Sequence, residues 1–173
     1  MILDDLVTFL QNQNFNFSKF TNDGRINSAV NESEIINLIK KQFNISQGKK
    51  REWFDFSYDY DGVFYPVNLK ITELSTDNLN CKLGIYYALA GKIPDFDNQV
   101  AWDMFLSNLR KNICENNVDY YFLIINKNCL KDIFWTSLKQ MNKLVPNGNN
   151  LPFQANWEIN KKEFQEIIMM QKK

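Results

Sequence analysis

The sequence predicts a single α/β domain covering residues 1–173, with a small mixed β-sheet flanked by helices. Three observations predict this fold class. Stretches with helical spacing of apolar residues alternate with short runs rich in aromatic and β-branched side chains. The chain has 173 residues, which is the size of one domain. No internal repeat, linker or low-complexity segment divides it.

Six stretches have the pattern of helices. Residues 2–12 and 29–43 carry their apolar side chains on one face, and the second stretch ends before a Gly-Lys-Lys-Arg loop. Asp77 is predicted to be the N-cap of a third helix, which Gly91 ends. The remaining helices are expected over residues 98–114, 130–141 and about 160–170.

Three runs are predicted to be strands, over residues 53–60, 63–71 and 118–126. The first two flank Asp61-Gly62, and Asp-Gly between alternating runs favours a two-residue hairpin turn with positive φ at both positions. The stretch 146–157 has no periodicity and is expected to be a loop.

The hairpin turn fixes which side chains face each other. If Tyr60 pairs with Val63, then Asp55 lies directly opposite Asn68, and Lys70 lies on the same face. Ser57 is expected on that face as well. The opposite face is expected to carry the apolar set Phe54, Phe56, Tyr58, Tyr65, Val67, Leu69 and Ile71.

The absence of histidine excludes whole classes of site. The sequence has no His, so histidine general bases, Ser-His-Asp and Cys-His arrangements and histidine-bearing zinc sites are ruled out. Any chemistry must use carboxylates, lysines, amides and a metal bound through oxygen. The net charge is zero, so a polyanionic partner must be met by a local basic patch.

The cysteines and the N-terminus bear on the compartment. Cys81, Cys114 and Cys129 are an odd number without metal-ligand spacing, which favours a reducing cytoplasm over a disulfide framework. The first residues are acidic where a secretory signal would be basic. No apolar run approaches the roughly 18 residues of a membrane span. We therefore expect a cytoplasmic protein.

The polar face of the hairpin brings together a carboxylate, an amide oxygen and an ammonium group. Mg²⁺ prefers oxygen ligands, and the protein typically supplies one or two of them. An adjacent ammonium stabilises charge that develops on an attacked phosphate. Asp55, Asn68 and Lys70 therefore predict a metal-dependent phosphodiesterase site. The alternative is an ordinary solvated strand face.

The helix before the hairpin offers a further acid. Glu32 falls within the apolar arc of Ile35, Ile36 and Ile39, whereas Glu34 falls outside it and is the second choice. An acid on the core-facing side needs a cation or hydrogen-bond donors. The alternative for Glu32 is a frayed helix end, or a first-turn acid that complements the helix dipole.

The order of these pieces resembles that of the PD-(D/E)xK nucleases, most clearly over residues 31–91. The pieces are NESE (31–34) on a helix, WFD (53–55) on the first hairpin strand and VNLK (67–70) on the second. The segment NGNNLPFQ (147–154) also resembles one found in small restriction endonucleases of this superfamily. The resemblance implies a restriction-endonuclease-like core.

The resemblance also implies roles and an activity. Asp55 would be the metal-binding acid, Lys70 the lysine of the motif and Glu32 the helix acid found in some members. The implied activity is that of a Mg²⁺-dependent type II restriction endonuclease, which acts on double-stranded DNA and leaves a 5′-phosphate and a 3′-hydroxyl. Since palindromic sites are read by two-fold dimers, a homodimer is expected.

The chain departs from the family pattern at two positions. Phe54 replaces the proline, and Asn68 stands where Asp or Glu is usual. An amide supplies a ligand oxygen without negative charge. Asp59, Glu32 or Glu73 would therefore have to supply the missing negative charge for metal binding. Asn68 therefore favours one alternative, a catalytically inactive module of the same fold that binds DNA or a protein. A further alternative is a structure-specific repair or junction nuclease.

Two groups of residues are expected to contact DNA. Lys49, Lys50 and Arg51 directly precede the Asp55 strand and are suited to phosphate contacts, with Lys82 as a further cation. Amide side chains suited to reading adenine lie in the loop, at Asn147, Asn149, Asn150 and Gln154. The alternative for the basic residues is a solvated loop without a partner. The alternative for the amides is that they only stabilise turns.

Overall fold

The computed structural model describes residues 2–14, 24–96, 101–146 and 153–161, with the backbone alone described at 24–29 and 146. The helices are α1 Ile2–Gln11, α2 Gly24–Gln42, α3 Lys82–Ala90 and α4 Trp102–Asn112. A 3₁₀ turn covers Leu138–Gln140, and residues 157–161 are helical. The strands are β1 Ser46–Gln47, β2 Phe56–Tyr60, β3 Val63–Thr72, β4 Thr76–Leu79, β5 Tyr121–Asn126, β6 Ile133–Ser137, β7 Leu144–Pro146 and β8 Phe153–Asn156.

The predicted mixed sheet is confirmed. Its five strands lie in the order β1-β2-β3-β5-β6, and only the central pair, β3 with β5, is parallel. A second sheet, which the sequence did not predict, has the antiparallel order β4-β8-β7. The protein is therefore an α/β protein with one mixed and one small antiparallel sheet.

Helices cover both faces of the mixed sheet. On one face, α1 and α2 pack apolar residues such as Leu6 and Ile39 against Val67, Leu69 and Leu123. On the other face, buried residues of α3 and the 157–161 helix, including Ile85 and Trp157, pack against Phe122 and Ile124. Alternate residues of β5 thus serve opposite cores, whereas β3 contributes Val67 and Leu69 to the first core and carries Asn68 and Lys70 on its other face.

The predicted hairpin turn is confirmed. Asp61 has φ 51° and Gly62 has φ 74°, the left-handed values that a two-residue turn of this kind requires. Tyr60 pairs with Val63, and the register continues regularly as far as Phe56 opposite Val67. The strand register therefore follows from the turn over five residue pairs.

The register changes at Asp55, so the prediction that Asp55 lies directly opposite Asn68 is wrong. Its backbone N–H donates to the carbonyl oxygen of Val67 at 2.9 Å, although Val67 already pairs with Phe56. Two residues thus face one, the arrangement of a β-bulge. The prediction that Phe54 shares a face of the hairpin with Phe56 is consequently wrong, because Phe56 is buried in the core of α1 and α2, whereas Phe54 packs on the opposite core and contacts Phe64.

Three other predictions were wrong, in each case because the residues form a strand that the local pattern did not indicate. Asp77 does not cap a helix but lies in β4 and pairs with Ala155, while α3 begins five residues later, at Lys82. The predicted helix over 130–141 contains β6, whose Ile133–Ser137 pairs with β5. The predicted loop over 146–157 contains β8.

Other expectations hold. Gly91 ends α3 with φ 65° and donates its N–H to the carbonyl oxygen of Tyr87. The strand expected over 118–126 is β5, and the helix expected over 98–114 is α4. All three cysteines are free. In the described part of the chain, no helix has the length and apolar character needed to cross a membrane.

Candidate functional site

Asp55 lies where β1, β2 and β3 meet. Oδ2 of its half-buried carboxylate accepts a hydrogen bond from the backbone N–H of Leu69 at 2.7 Å. Its carbonyl oxygen accepts one from the N–H of Gly48 at 2.8 Å. Together with the bond to Val67, these contacts hold Asp55 against the strand that carries Asn68 and Lys70.

Asn68 presents an unsatisfied oxygen at this place. Oδ1 of Asn68 is buried and has no hydrogen-bond partner within the described residues. The side chain hydrogen-bonds to Tyr120, and because Oδ1 has no partner, the amide nitrogen is the donor. The Tyr120 hydroxyl in turn donates to the carbonyl oxygen of Trp53 at 2.6 Å. Burying an oxygen without a partner costs roughly 1–3 kcal/mol, so this atom suits a cation or water.

Glu32 reaches the same place from α2. Burial and the nearby negative charge of Asp55 raise the pKa of Glu32 to about 7, while Lys70 opposes the shift. Glu34 is exposed, so the geometry favours Glu32 over Glu34 as the helix acid of the site. Two carboxylates that repel each other in a half-buried position are stabilised by a bound cation.

Lys70 interacts electrostatically with each acid of the site. Burial raises the pKa of the Asp55 carboxyl, whereas the Leu69 N–H and the Lys70 ammonium lower it. Lys70 also lies near Cys81, where burial raises the pKa of the thiol to about 12 and keeps it protonated. Asp55, Glu32 and Lys70 therefore influence one another electrostatically, and Asn68 lies two residues before Lys70 on β3.

Asp77 is an acid that the sequence interpretation missed. Its negative charge contributes to the raised pKa of Glu32, so it lies near the site. Its Oδ2 accepts a hydrogen bond from Nε1 of Trp157 at 3.3 Å. No local pattern indicates that Asp77 lies near Glu32, because Asp77 reaches the site through the pairing of β4 with β8.

The donor set fits Mg²⁺ bound by few protein ligands. Over the described ranges, no three Asp, Glu or Cys side chains come close enough together to hold a metal ion. Mg²⁺ usually keeps several waters and takes one or two carboxylates from the protein. Asp55, Glu32 and Oδ1 of Asn68 supply two carboxylates and one neutral oxygen, which matches that requirement.

The other two acids considered as compensation for Asn68 lie at the surface. Asp59 is exposed on β2. Glu73 is exposed and forms an ion pair with Lys127 at 2.7 Å, which lowers the pKa of Glu73. Glu32, by contrast, is half-buried and lies close enough to Asp55 for the two charges to interact.

The basic loop is attached directly to the site. Lys49, Lys50 and Arg51 are exposed in a tight turn, where the N–H of Glu52 donates to the carbonyl oxygen of Lys49 at 2.9 Å. Gly48 anchors this turn, since a Cβ atom there would lie 2.3 Å from the carbonyl oxygen of Phe54. The backbone hydrogen bond from Gly48 to Asp55 thus attaches the loop that carries these three cations to the strand of the site.

The remaining predicted DNA contacts are spread over other elements. Lys82 is the first residue of α3, and its ammonium lies 5.9 Å from the centre of the Trp102 ring. Gln154 lies in β8 and donates from Nε2 to Oδ1 of Asn78 at 3.0 Å. The predicted contacts at Asn147, Asn149 and Asn150 lie outside the described residues.

No protein family model, curated protein or solved structure matches this chain. Its function must therefore be inferred from its own residues.

Proposed function

We propose that this chain is a Mg²⁺-dependent endonuclease that cleaves double-stranded DNA at a specific sequence, as type II restriction endonucleases of the PD-(D/E)xK group do. The observation that carries the proposal is the meeting of Asp55, Glu32 and Lys70 beside the unpartnered Oδ1 of Asn68. Oxygen ligands next to an ammonium group are the parts that metal-dependent phosphodiester hydrolysis requires.

Each residue has a distinct task. Asp55, Glu32 and Asn68 would hold the ion, which when bound would supply positive charge to a phosphate and make a nearby water more acidic. Lys70 would place its ammonium against the phosphate oxygen that gains charge during attack. The hydrogen bond from Leu69 to Asp55 keeps that carboxylate oriented toward β3.

The basic loop would hold the duplex. Exposed Lys49, Lys50 and Arg51 are suited to phosphate contacts that position the backbone without reading the sequence. The hydrogen bond between Gly48 and Asp55 fixes the distance between these contacts and the ion-binding residues. Base readout would fall to the 147–154 segment, of which Gln154 is described. A palindromic recognition sequence has two-fold symmetry, so a homodimer would read it.

One observation favours a second candidate, a catalytically inactive module of the same fold that binds DNA or a protein. Asn68 lowers the negative charge of the site, and the described residues lack a cluster of three acidic or thiol side chains. Such a module would bind its partner without cutting it.

Incubation of the full chain with plasmid DNA and Mg²⁺ tests the proposal. We expect discrete fragments that EDTA abolishes, and a Lys70→Ala variant at least about 100-fold slower, the loss typical of one transition-state-stabilising group. Lys40→Ala, which removes an exposed lysine from the last turn of α2, should cut like the wild type.

Three other outcomes overturn the proposal. Retained DNA binding without cleavage indicates the inactive module. Cleavage confined to branched DNA indicates a structure-specific repair or junction nuclease. Wild-type cutting by Lys70→Ala removes the mechanism even if the activity remains.

A further inference from the structure

The small antiparallel sheet has one face that points away from the core. Asn78 of β4 pairs with Gln154 of β8, and Gln154 pairs with Val145 of β7, so the three side chains form a row across the sheet. Asn78 and Val145 are exposed, Val145 by 56%. The alternate residues of β4 and β8, including Leu79 and Ala155, point the other way into the core that α3 covers.

A hydrogen bond between two amide side chains fixes the centre of this row. Nε2 of Gln154 donates to Oδ1 of Asn78 at 3.0 Å. The bond uses one of the two N–H groups of Gln154 and thereby determines which side of the amide carries its oxygen. The second N–H and Oε1 of this amide are one donor and one acceptor. Adenine presents the matching pair in the major groove, N7 as acceptor and N6 as donor, whereas guanine presents two acceptors.

The other side chains of the face add no charge. Thr76 pairs with Asn156 in the next row of the sheet, and Oδ1 of Asn156 accepts a hydrogen bond from the N–H of Ile159 at 3.0 Å. All five side chains of the two rows are uncharged, so none of them repels a phosphate backbone. Val145 is the apolar one, and an apolar side chain beside the amide suits the C5 methyl group of thymine, the partner of adenine.

The dimensions and position of the sheet suit the major groove. Neighbouring strands lie about 4.8 Å apart, so the outer strands β4 and β7 are about 10 Å apart, comparable with the roughly 12 Å width of that groove. Asp77 directly precedes Asn78 in β4, points to the opposite face and lies near Glu32 of the proposed ion site. The outer face is thus joined to the site of cleavage through one strand.

We propose that the outer face of this sheet reads one A·T pair in the major groove, with Gln154 on the adenine and Val145 on the methyl group of the thymine. Asn78 is a positioning residue, because it fixes the amide of Gln154. The inference rests on the proposed cleavage of double-stranded DNA. It adds the element that reads the substrate, the base pair that this element selects, and the roles of Asn78 and Val145.

Selection of bound duplexes from a randomised DNA library tests this inference, with the full chain and with Ca²⁺ in place of Mg²⁺ to separate binding from cleavage. Wild-type protein should enrich an A·T pair at a fixed position. Gln154→Glu should select C·G there, because a carboxylate accepts from N4 of cytosine but does not donate to N7 of adenine. The preference between the two pairs should change by roughly 5–150-fold. Gln140→Glu makes the same charge change at an exposed residue of the 3₁₀ turn and should keep the wild-type preference.

Uracil in place of thymine tests the contact of Val145, since uracil lacks the C5 methyl group. Wild-type protein should bind the selected duplex more tightly with A·T than with A·U, and Val145→Ala should lose this difference. Ile93→Ala, at a residue that is also 56% exposed, should retain it. Asn78→Ala should reduce the preference for adenine, whereas a merely structural role of Asn78 predicts a lower melting temperature with an unchanged preference.

Four results overturn the inference, and they separate it from the proposed function. An unchanged base preference in Gln154→Glu, or a wild type that enriches only G·C pairs, overturns the inference and leaves the proposed nuclease intact. Equal binding of A·T and A·U duplexes by the wild type removes the contact assigned to Val145. A wild type that binds duplexes without preference, or binds none, overturns the proposed sequence-specific cleavage as well.

Discussion

The backbone N–H of Leu69 donates a 2.7 Å hydrogen bond to Oδ2 of Asp55. The bond holds the carboxylate beside the two residues that flank Leu69 on β3, namely Asn68 and Lys70. It also means that an amide at position 55 keeps an acceptor for the same N–H while losing the negative charge.

Asp55→Asn is therefore expected to fold normally and to lose metal binding. We expect the affinity for Mn²⁺ or Mg²⁺ to fall by more than the roughly 10–100-fold that loss of an outer hydrogen-bond partner typically costs. Isothermal titration calorimetry measures this, and the melting temperature reports the fold. Asp59→Asn, at an exposed acid on β2, is the matched control. Unchanged affinity in Asp55→Asn would show that Asp55 is not a ligand.

The raised pKa of Glu32 predicts a pH-dependent stability in the absence of metal. Below about pH 4.5 the group is protonated in both the folded and the unfolded protein, and above about pH 7 it is ionised in both. Between these values the folded protein holds more protons, so this group lowers the free energy of unfolding as the pH rises. Relative to wild type, Glu32→Gln should gain stability progressively through this window.

Urea unfolding at a series of pH values measures that difference. Glu34→Gln, two positions away on the same helix but exposed, should follow the wild type at every pH. Mg²⁺ should stabilise the wild type most above pH 7, where Glu32 is ionised. A constant offset between Glu32→Gln and wild type would contradict an ionisation shift at this residue.

Asn68→Asp tests whether the unpartnered oxygen faces the ion. Oδ1 of Asn68 is buried without a partner among the described residues, and an acid at this position adds negative charge to the donor set. We expect metal affinity to rise by about tenfold, since ligand charge is a main determinant of affinity for hard cations. Asn68→Ala should lower it. If neither substitution changes the calorimetric titration, the oxygen points away from the ion.

The sequence predicted the parts of this site that depend on local pairing. Asp61-Gly62 set the hairpin register as far as Phe56 opposite Val67, which brings Asp55 to the segment of β3 that carries Asn68 and Lys70. The apolar arc of α2 predicted that Glu32 faces the core and Glu34 faces solvent, and Glu32 is half-buried whereas Glu34 is exposed. In each of these cases, residues close in the sequence determine the geometry.

The parts that were missed depend on contacts that leave no pattern in the local sequence. Asp77 precedes a helix and resembles a cap, yet it pairs with the distant Ala155 of β8. The bulge at Asp55 occurs where its carbonyl oxygen also accepts a hydrogen bond from Gly48 in the preceding loop. Neither contact leaves a periodic signal in the chain, since strand pairing carries no local code beyond alternation.

Gly84→Ala tests the close packing of α3 on the sheet. A Cβ atom at Gly84 would lie 2.6 Å from the ring of Tyr120, which is itself buried. Overpacking of this kind costs about 1–3 kcal/mol and outweighs the gain of about 0.8–1.0 kcal/mol from replacing glycine in a helix. We expect a lower melting temperature. A higher one would show that α3 shifts away from Tyr120 without loss.

Tyr120→Phe tests whether this tyrosine orients Asn68. The Tyr120 hydroxyl accepts from the Asn68 amide and donates to the carbonyl oxygen of Trp53, which leaves Oδ1 of Asn68 as the atom available to an ion. Without the hydroxyl the amide can rotate, so we expect metal affinity to fall by about 10-fold or more while the cleavage rate at saturating Mg²⁺ stays close to that of the wild type.

Tyr58→Phe is the matched control, because its buried hydroxyl has no partner in the described part of the chain and it packs in the α1–α2 core. A purely structural role for Tyr120 predicts a lower melting temperature with an unchanged metal titration, and that result would contradict the positioning role.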